Sequence, residues 1–214
     1  MHRTVIVGSP RENGRSASLA SELFDACIEE CPDDGISVVT VAGMDIAACI
    51  GCDECRKASA NAIAAISGSV ADDGDAEAQY HLEQNASVRF SDANSHACFM
   101  EDDMKVVREH MDAADELIVV CPVYFASVPS QMKALMDRLQ PYYWSDLREG
   151  DKRPLTLHVV GEGGDPHGFD PLIGTIRSAF SVAGFHLDRV LDWVGCIDRA
   201  GEIMLDAEEI TFDE

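Results

Sequence analysis

An open parallel α/β sheet with helices on both faces is the fold class that this sequence predicts, and three observations carry it. Five short apolar runs rich in Val, Ile and Leu punctuate the chain, at 4–8, 36–41, 116–121, 155–160 and 189–195. Stretches of helical periodicity separate them, giving the βαβ alternation of a parallel sheet. Polar or glycine-rich loops follow the first, third and fourth runs, at the strand ends where such sheets bind ligands.

Size and charge bound the rest. A chain of 214 residues suits one domain, 1–214, with a full core. Its 39 acidic and 16 basic residues leave a net charge of −23. Only Lys57, Lys105, Lys133 and Lys152 supply lysine. Such a surface repels nucleic acid and anionic lipid, so neither is expected as a partner. Any bound phosphate must then be held by local positive charge. No apolar run reaches the roughly 18–20 residues that span a bilayer. Met1-His2-Arg3 leads straight into a strand, so no signal peptide is expected and a cytoplasmic location follows by default. In that setting the eight cysteines read as thiols or metal ligands rather than disulfides.

The elements follow in order. Thr4 to Gly8 is a buried strand, short, β-branched and closed by glycine. From Ser16 the positions Leu19, Leu23, Cys27 and Cys31 recur at i+4, an amphipathic helix ending near Pro32. Ile36 to Val41 is the second strand. The stretch Arg56 to Ala97 then fits no period for long, and 42 residues exceed an ordinary connection, so 56–97 reads as an insertion. Asp102 to Ala113 is helical, with Asp102 and Asp103 suited to starting it rather than to acting as a base. Glu116 to Cys121 is the third strand. Pro129 precedes a helix whose core stripe is Met132, Leu135, Met136 and Leu139. Leu155 to Val160 is the fourth strand, Leu172 to Ala183 a helix ended by Gly184, and Arg189 to Gly195 the fifth strand. The acidic tail after Ala200 carries no pattern. Cys27, Cys31, Cys121 and Cys196 fall at core positions, and His158, inside a strand, reads as a packed, hydrogen-bonded histidine. His167, in the loop after the fourth strand, has only its position in its favour.

The chemistry concentrates in the first loop, Gly8-Ser9-Pro10-Arg11-Glu12-Asn13-Gly14-Arg15-Ser16-Ala17-Ser18. Strand, polar loop and helix start make an anion site, because the first turn of a helix offers unpaired N–H groups and a positive dipole end. Ser9, Ser16 and Ser18 add hydroxyls, and Arg11 and Arg15 add charge. The Gly-Lys-Ser/Thr ending of a P-loop is missing, and so is G-x-G-x-x-G. Hydroxyl donors in place of glycines suit a single phosphate.

With the loop Pro122-Val123-Tyr124-Phe125-Ala126-Ser127-Val128-Pro129 and the following Ser130 to Arg138, the chain resembles the NAD(P)H-dependent FMN reductases of flavodoxin-like fold, over roughly 3–196 without the insertion. That resemblance implies a doubly wound five-stranded sheet of order 2-1-3-4-5. It implies FMN as cofactor, with its phosphate held by Ser9, Arg11, Arg15, Ser16 and Ala17. Pro122, Val123, Tyr124 and Phe125 would lie against the flavin ring, with Ser127 nearby and the Gly161 to Gly164 loop, above all Gly161 and Gly163, closing the other side. No side-chain acid or base is required, since the cofactor carries the chemistry. The activity implied is NAD(P)H oxidation and delivery of electrons to a small-molecule or protein acceptor, by a homo-oligomer (dimer or tetramer). Tyr142, Tyr143 and Trp144 have two readings, a roof for the flavin and a subunit contact.

Cys49, Cys52 and Cys55 form a C-x-x-C-x-x-C run. Three thiolates on a compact loop meet most of what iron–sulfur ligation needs, and a cubane needs a fourth. Iron–sulfur flavoproteins carry such a run with a fourth cysteine before Asp-Asp-Met, and Cys98 through Asp102-Asp103-Met104 is similar to that element. The departure is the 42-residue separation, although a longer loop adds only modest closure entropy. A [4Fe-4S] cluster, free thiols and zinc all remain open for this run. With the cluster comes an alternative function, an electron-transfer module without its own nicotinamide site.

Overall fold

The computed structural model describes residues 1–58, 98–164 and 166–211. Six strands form one sheet in the order β2-β1-β3-β4-β5-β6. They are β1 (His2–Val7), β2 (Gly35–Thr40), β3 (Glu116–Pro122), β4 (Arg153–Gly161), β5 (Phe185–Val194) and β6 (Glu208–Ile210). The first five pair in parallel, with Val5 opposite Val38 on one side and Ile118 on the other. The helices are α1 (Arg15–Glu30), α2 (Met104–Ala113), α3 (Ser130–Asp137), α4 (Gln140–Tyr143) and α5 (Asp170–Val182). Among the described residues no helix is long and apolar enough to cross a membrane.

Strand alternation sends side chains to two cores. One face, with Ile6, Leu117, Val119, Leu155 and Val159, packs under α2, α3 and α5, and the four predicted stripe residues Met132, Leu135, Met136 and Leu139 are buried there. The other face, with Val5, Val7, Ile118, Val120 and Val160, packs under Leu19 and Ala20 of α1. On that second face β4 and β5 carry His158 and Trp193, and the indole Nε1–H donates to His158 Nδ1 at 2.9 Å. His158 is therefore packed and hydrogen-bonded, as its strand position predicts. Burial, then the positive charge of Arg189, pushes its pKa down to about 4. At the amino edge Arg153 donates to the carbonyls of Met111, Ala114 and Ala183, closing the carboxyl ends of α2 and α5.

Three features depart from expectation. β5 begins at Phe185, before Arg189, with Asp188 as the extra residue where the β4–β5 register shifts. The tail contributes a sixth strand, antiparallel, with Ile210 opposite Val190. It is three residues long and two are Glu, too short and too charged for a strand pattern; the Arg189–Glu209 pair at 2.8 Å sits on it. Cys27 and Cys31 are only partly buried, because α1 sinks its amino half, at Ser16, Leu19 and Ala20, into the sheet. Of the expected insertion, 56–58 continue a short helical segment begun at 54, and 59–97 lie outside the described residues.

Candidate functional site

The carboxyl edge of β1, β3 and β4 opens into a cleft of about 470 Å³. Its first wall is the loop after β1. Gly8 donates its amide to Val120 O at 2.8 Å and has Met132 and Cys121 so close that a Cβ there would crowd both. This packing pulls the loop tight against the sheet edge. Gly14, at φ 144°, then starts α1 from a backbone region that favours glycine. No side chain caps α1, and its first turn carries no acidic residue. Its first amides are thus left for something outside the helix. Ser9 and Ser16 line the cleft beside them, both buried, with Arg11 and Arg15. An uncapped helix start flanked by hydroxyls and arginines fits a phosphate group.

Arg15 does more than lend charge. Its Nε donates to the carbonyls of Ile197 (2.8 Å) and Asp198 (3.0 Å), which staples the loop after β5 to the start of α1. Gly201 in that loop, in the left-handed region, lies so close to Ser18 that a Cβ there would displace the serine side chain. The terminal nitrogen NH2 of Arg15 meets Glu162 at 3.0 Å, and Arg199 approaches the same carboxylate oxygen at 3.7 Å. Hydrogen bonding from Arg15, reinforced by the charges of Arg15, Arg199 and Arg11, holds Glu162 below its usual pKa. Three arginines thus converge on one exposed carboxylate in a strongly acidic protein.

The second wall is the loop after β3. Val123 donates to Val160 O at 2.9 Å, so it extends the sheet by one residue. Tyr124 and Ser127 then exchange both backbone hydrogen bonds, a tight turn with Phe125 at φ 51° and Ala126 at φ 60°. Two consecutive positive φ values without glycine are strained, at about 1–2 kcal/mol each. The strain is anchored by Leu172, whose amide donates to Ala126 O at 3.1 Å. The result holds Phe125 out with 97% of it exposed. Gly161, Glu162, Gly163 and Gly164 form the third wall.

Of the expected cofactor contacts, Ser9, Arg11, Arg15, Ser16, Pro122, Val123, Tyr124, Gly161 and Gly163 line one cleft. Ala17, Phe125 and Ser127 flank it without lining it. Val160, Gly168, Phe169 and Val194 also line it from outside the expected loops, and Gly14 and Glu162 line it from within them without having been named as contacts. A glycine directly before the predicted helix start is the signal that would have found Gly14, whereas Val194 lines the cleft through its pairing with Gly161, which the sequence does not show.

The cysteines form a second locus. Cys49 and Cys52 are exposed, Cys55 and Cys98 partly buried. The two chain segments that flank 59–97 are tied together: Asp45 N donates to Asp103 Oδ2 (2.7 Å), Asp103 N to Asp45 O (3.0 Å), and Ala47 N to Asp102 Oδ2 (3.1 Å). Arg138, just past α3, locks this seam with NH1 and NH2 on the two oxygens of Asp102 at 2.6 and 3.1 Å. Burial would raise the Asp102 pKa, but the hydrogen bonds of Arg138, Ala47 and Met104 hold it below the usual carboxylate value. Cys55 lies near enough to Cys98 and Cys52 for their charges to act on it, while burial raises its thiol pKa. The seam thus joins the segment that leads into the run to the one that follows Cys98, across the long separation. Among the described residues no group of three His, Cys, Asp or Glu side chains is set to hold a metal ion. The aromatic triplet divides between the two ends of α2, with Trp144 near the cysteine run and Tyr142 near the carboxyl end of that helix. Tyr142 is buried, with its hydroxyl donating to Asp112 at 2.8 Å, and Arg56 stacks over Trp144 at 5.4 Å.

The chain is similar to two iron–sulfur flavoproteins. One, from Archaeoglobus fulgidus, is 26% identical over 139 residues, 64% of this chain and 44% of the relative. The other, from Methanocaldococcus jannaschii, is 28% identical over 138 residues, 64% of this chain and 50% of the relative. The matched stretch thus spans about half the length of each. An azoreductase from Bacillus anthracis shares the fold with a TM-score of 0.58 at 13% identity, over 91% of this chain and 87% of that one. A family model described as NADPH-dependent FMN reductase matches residues 44–169, more than half of the sequence, and the chain belongs to that family.

Proposed function

We propose that the cleft at the carboxyl edge of β1, β3 and β4 binds FMN, and that the protein uses it to pass electrons from NAD(P)H to an acceptor. One observation carries this reading: the uncapped start of α1, with Ser9, Ser16, Arg11 and Arg15, opens into the same cleft as the Pro122–Tyr124 and Gly161–Gly164 loops. Bound FMN supplies the redox chemistry, accepting an electron pair from a nicotinamide and releasing electrons to an acceptor. The chain supplies position. Ser9, Ser16 and the first amides of α1 hold the phosphate end, and Arg11 and Arg15 offset the repulsion of an acidic protein. Val123, Tyr124 and Gly161 form a wall with apolar and aromatic surface for a planar ring and exclude water from one side of it.

The test is anaerobic mixing of FMN-loaded protein with NADPH or NADH, following flavin absorbance. Bleaching by either nucleotide is expected. Absence of bleaching with both would remove the reductase reading.

A second reading has its own observation. The seam between 45–47 and 102–103 ties the segment that leads into the cysteine run to the one that follows Cys98, and two proteins that the chain resembles are iron–sulfur flavoproteins. In that reading the protein is an electron-transfer module, and its flavin is reduced by a one-electron donor and not by nicotinamide. Iron and sulfide analysis of protein purified without oxygen separates the two.

A further inference from the structure

Arg199 stands at the rim of the cleft, and neither the fold nor the expected flavin contacts use it. It lies in the turn after β5, and that turn is firmly built. Asp198 N donates to Glu202 O at 3.0 Å, and Asp198 Oδ1 accepts from Ala200 N at 2.8 Å and from Glu202 N at 2.9 Å. Ile197 and Ile203 pair at its base as an antiparallel bridge. Arg15 ties the turn to the start of α1 through the carbonyls of Ile197 and Asp198. The backbone of Arg199 is thus fixed, while its side chain is 88% exposed.

This guanidinium is placed but not spent. Its Nε stands 3.7 Å from the Glu162 carboxylate, an ionic approach beyond hydrogen-bond length, and the side chain makes no hydrogen bond among the described residues. Arg15, by contrast, makes three, to two carbonyls and to Glu162. Arg11, Arg15 and Glu162 line the cleft, and Arg199 reaches it only through Glu162. Arg199 is therefore positioned for a ligand that crosses the rim and not for one seated inside. Glu162 shows that an oxyanion is accepted there, and its exposure lets a doubly charged phosphate take over the arginine.

The electron donor comes in two forms that differ by one phosphate. The 2′-phosphate of NADPH adds about two negative charges, and a chain of net charge −23 repels them. NADH is the easier donor for such a protein unless a local cation reverses the balance. We propose that Arg199 is a specificity-determining residue, receiving the ribose 2′-phosphate of NADPH at the cleft rim and so selecting NADPH over NADH. This rests on the reductase reading above and names its donor. The planar guanidinium can give two parallel N–H bonds to phosphate oxygens. Because the turn is already fixed, only side-chain freedom is lost on binding.

The experiment mixes FMN-loaded, full-length protein anaerobically with NADPH or NADH below saturation and follows flavin bleaching. Calorimetry with the redox-inert ADP-ribose and 2′-phospho-ADP-ribose reads binding apart from electron transfer, and FMN affinity checks folding. Wild type is expected to react at least tenfold faster with NADPH and to bind the 2′-phosphorylated fragment more tightly, a preference that shrinks as salt rises. Arg199→Ala should cost the phosphorylated forms about tenfold in rate and affinity, the scale of one charge-assisted contact, and cost the others far less. Arg199→Lys should keep most of the preference, and Arg199→Glu should turn it toward NADH. Equal use of both nucleotides by wild type, or an Arg199→Ala variant that loses both equally, overturns the role of Arg199 while the reductase reading stands. If neither nucleotide bleaches the flavin, the reductase reading itself fails and this inference with it.

Discussion

The cleft and the cysteine locus hold their charges in opposite ways. In the cleft, Arg15 and Arg199 share Glu162, whose side chain is 59% exposed, so water and salt screen the pairing and a ligand phosphate can replace it. At the cysteine locus, Arg138 and Asp102 are out of water and joined by two hydrogen bonds. Neither can leave without stranding the other. One region is built to exchange partners, and the other to stay closed while it ties the segments on either side of 59–97 together. The loop flanking the cleft also keeps strain, in the left-handed Phe125 and Ala126, whereas the seam between 45–47 and 102–103 is made of hydrogen bonds without a positive φ.

The contrast can be broken first at the seam. Arg138→Ala should cost about 3–5 kcal/mol of folding stability, the range for removing one partner of a buried ion pair, read by chemical denaturation. A loss no larger than that of a surface arginine would remove the distinction. The next effect is a pH dependence beneath the cleft floor. His158 stays neutral in the folded protein down to about pH 4, while the unfolded chain takes up a proton near 6.5. Its lowered pKa therefore leaves stability intact above about 6.5, and lets up to about 3 kcal/mol drain away as pH falls from there to about 4. His158→Gln should flatten that part of the profile, and an unchanged slope would contradict the assignment. A smaller change comes from Phe125→Gly, which should raise stability by about 1 kcal/mol by relieving the positive φ while weakening FMN. Smallest is Glu162→Gln, which should leave the denaturation midpoint unmoved and tighten FMN at low salt only. A tightening that survives high salt would mean the pairing is not the screened one described.

Much of this was legible in residues with a strong local reason. Gly8 to Ser18 announces a strand, a polar turn and a helix start, and β1 and α1 follow it. Met132, Leu135, Met136 and Leu139 declare a buried stripe by spacing and are buried. What escaped depends on partners far away in the chain. Arg138 reads as one more charged residue at a helix end until Asp102, 36 positions earlier, closes on it. Arg15 reads as a phosphate ligand, and nothing near it foretells the carbonyls of Ile197 and Asp198, some 180 residues on. Glu-Glu-Ile is too short to show a period, so β6 emerges only from pairing with β5.

The phosphate end of the cleft is the claim on which the rest depends, and comparing FMN with riboflavin tests it most directly. The two differ only in the phosphate, and titration by flavin fluorescence measures both. FMN should bind at least a hundredfold more tightly to the wild type, since several charge-assisted hydrogen bonds at about 1.5–3 kcal/mol each are involved. Ser16→Ala should erase about a tenfold share of that advantage and leave riboflavin unaffected. Equal affinity for FMN and riboflavin in the wild type would contradict a phosphate site at the start of α1.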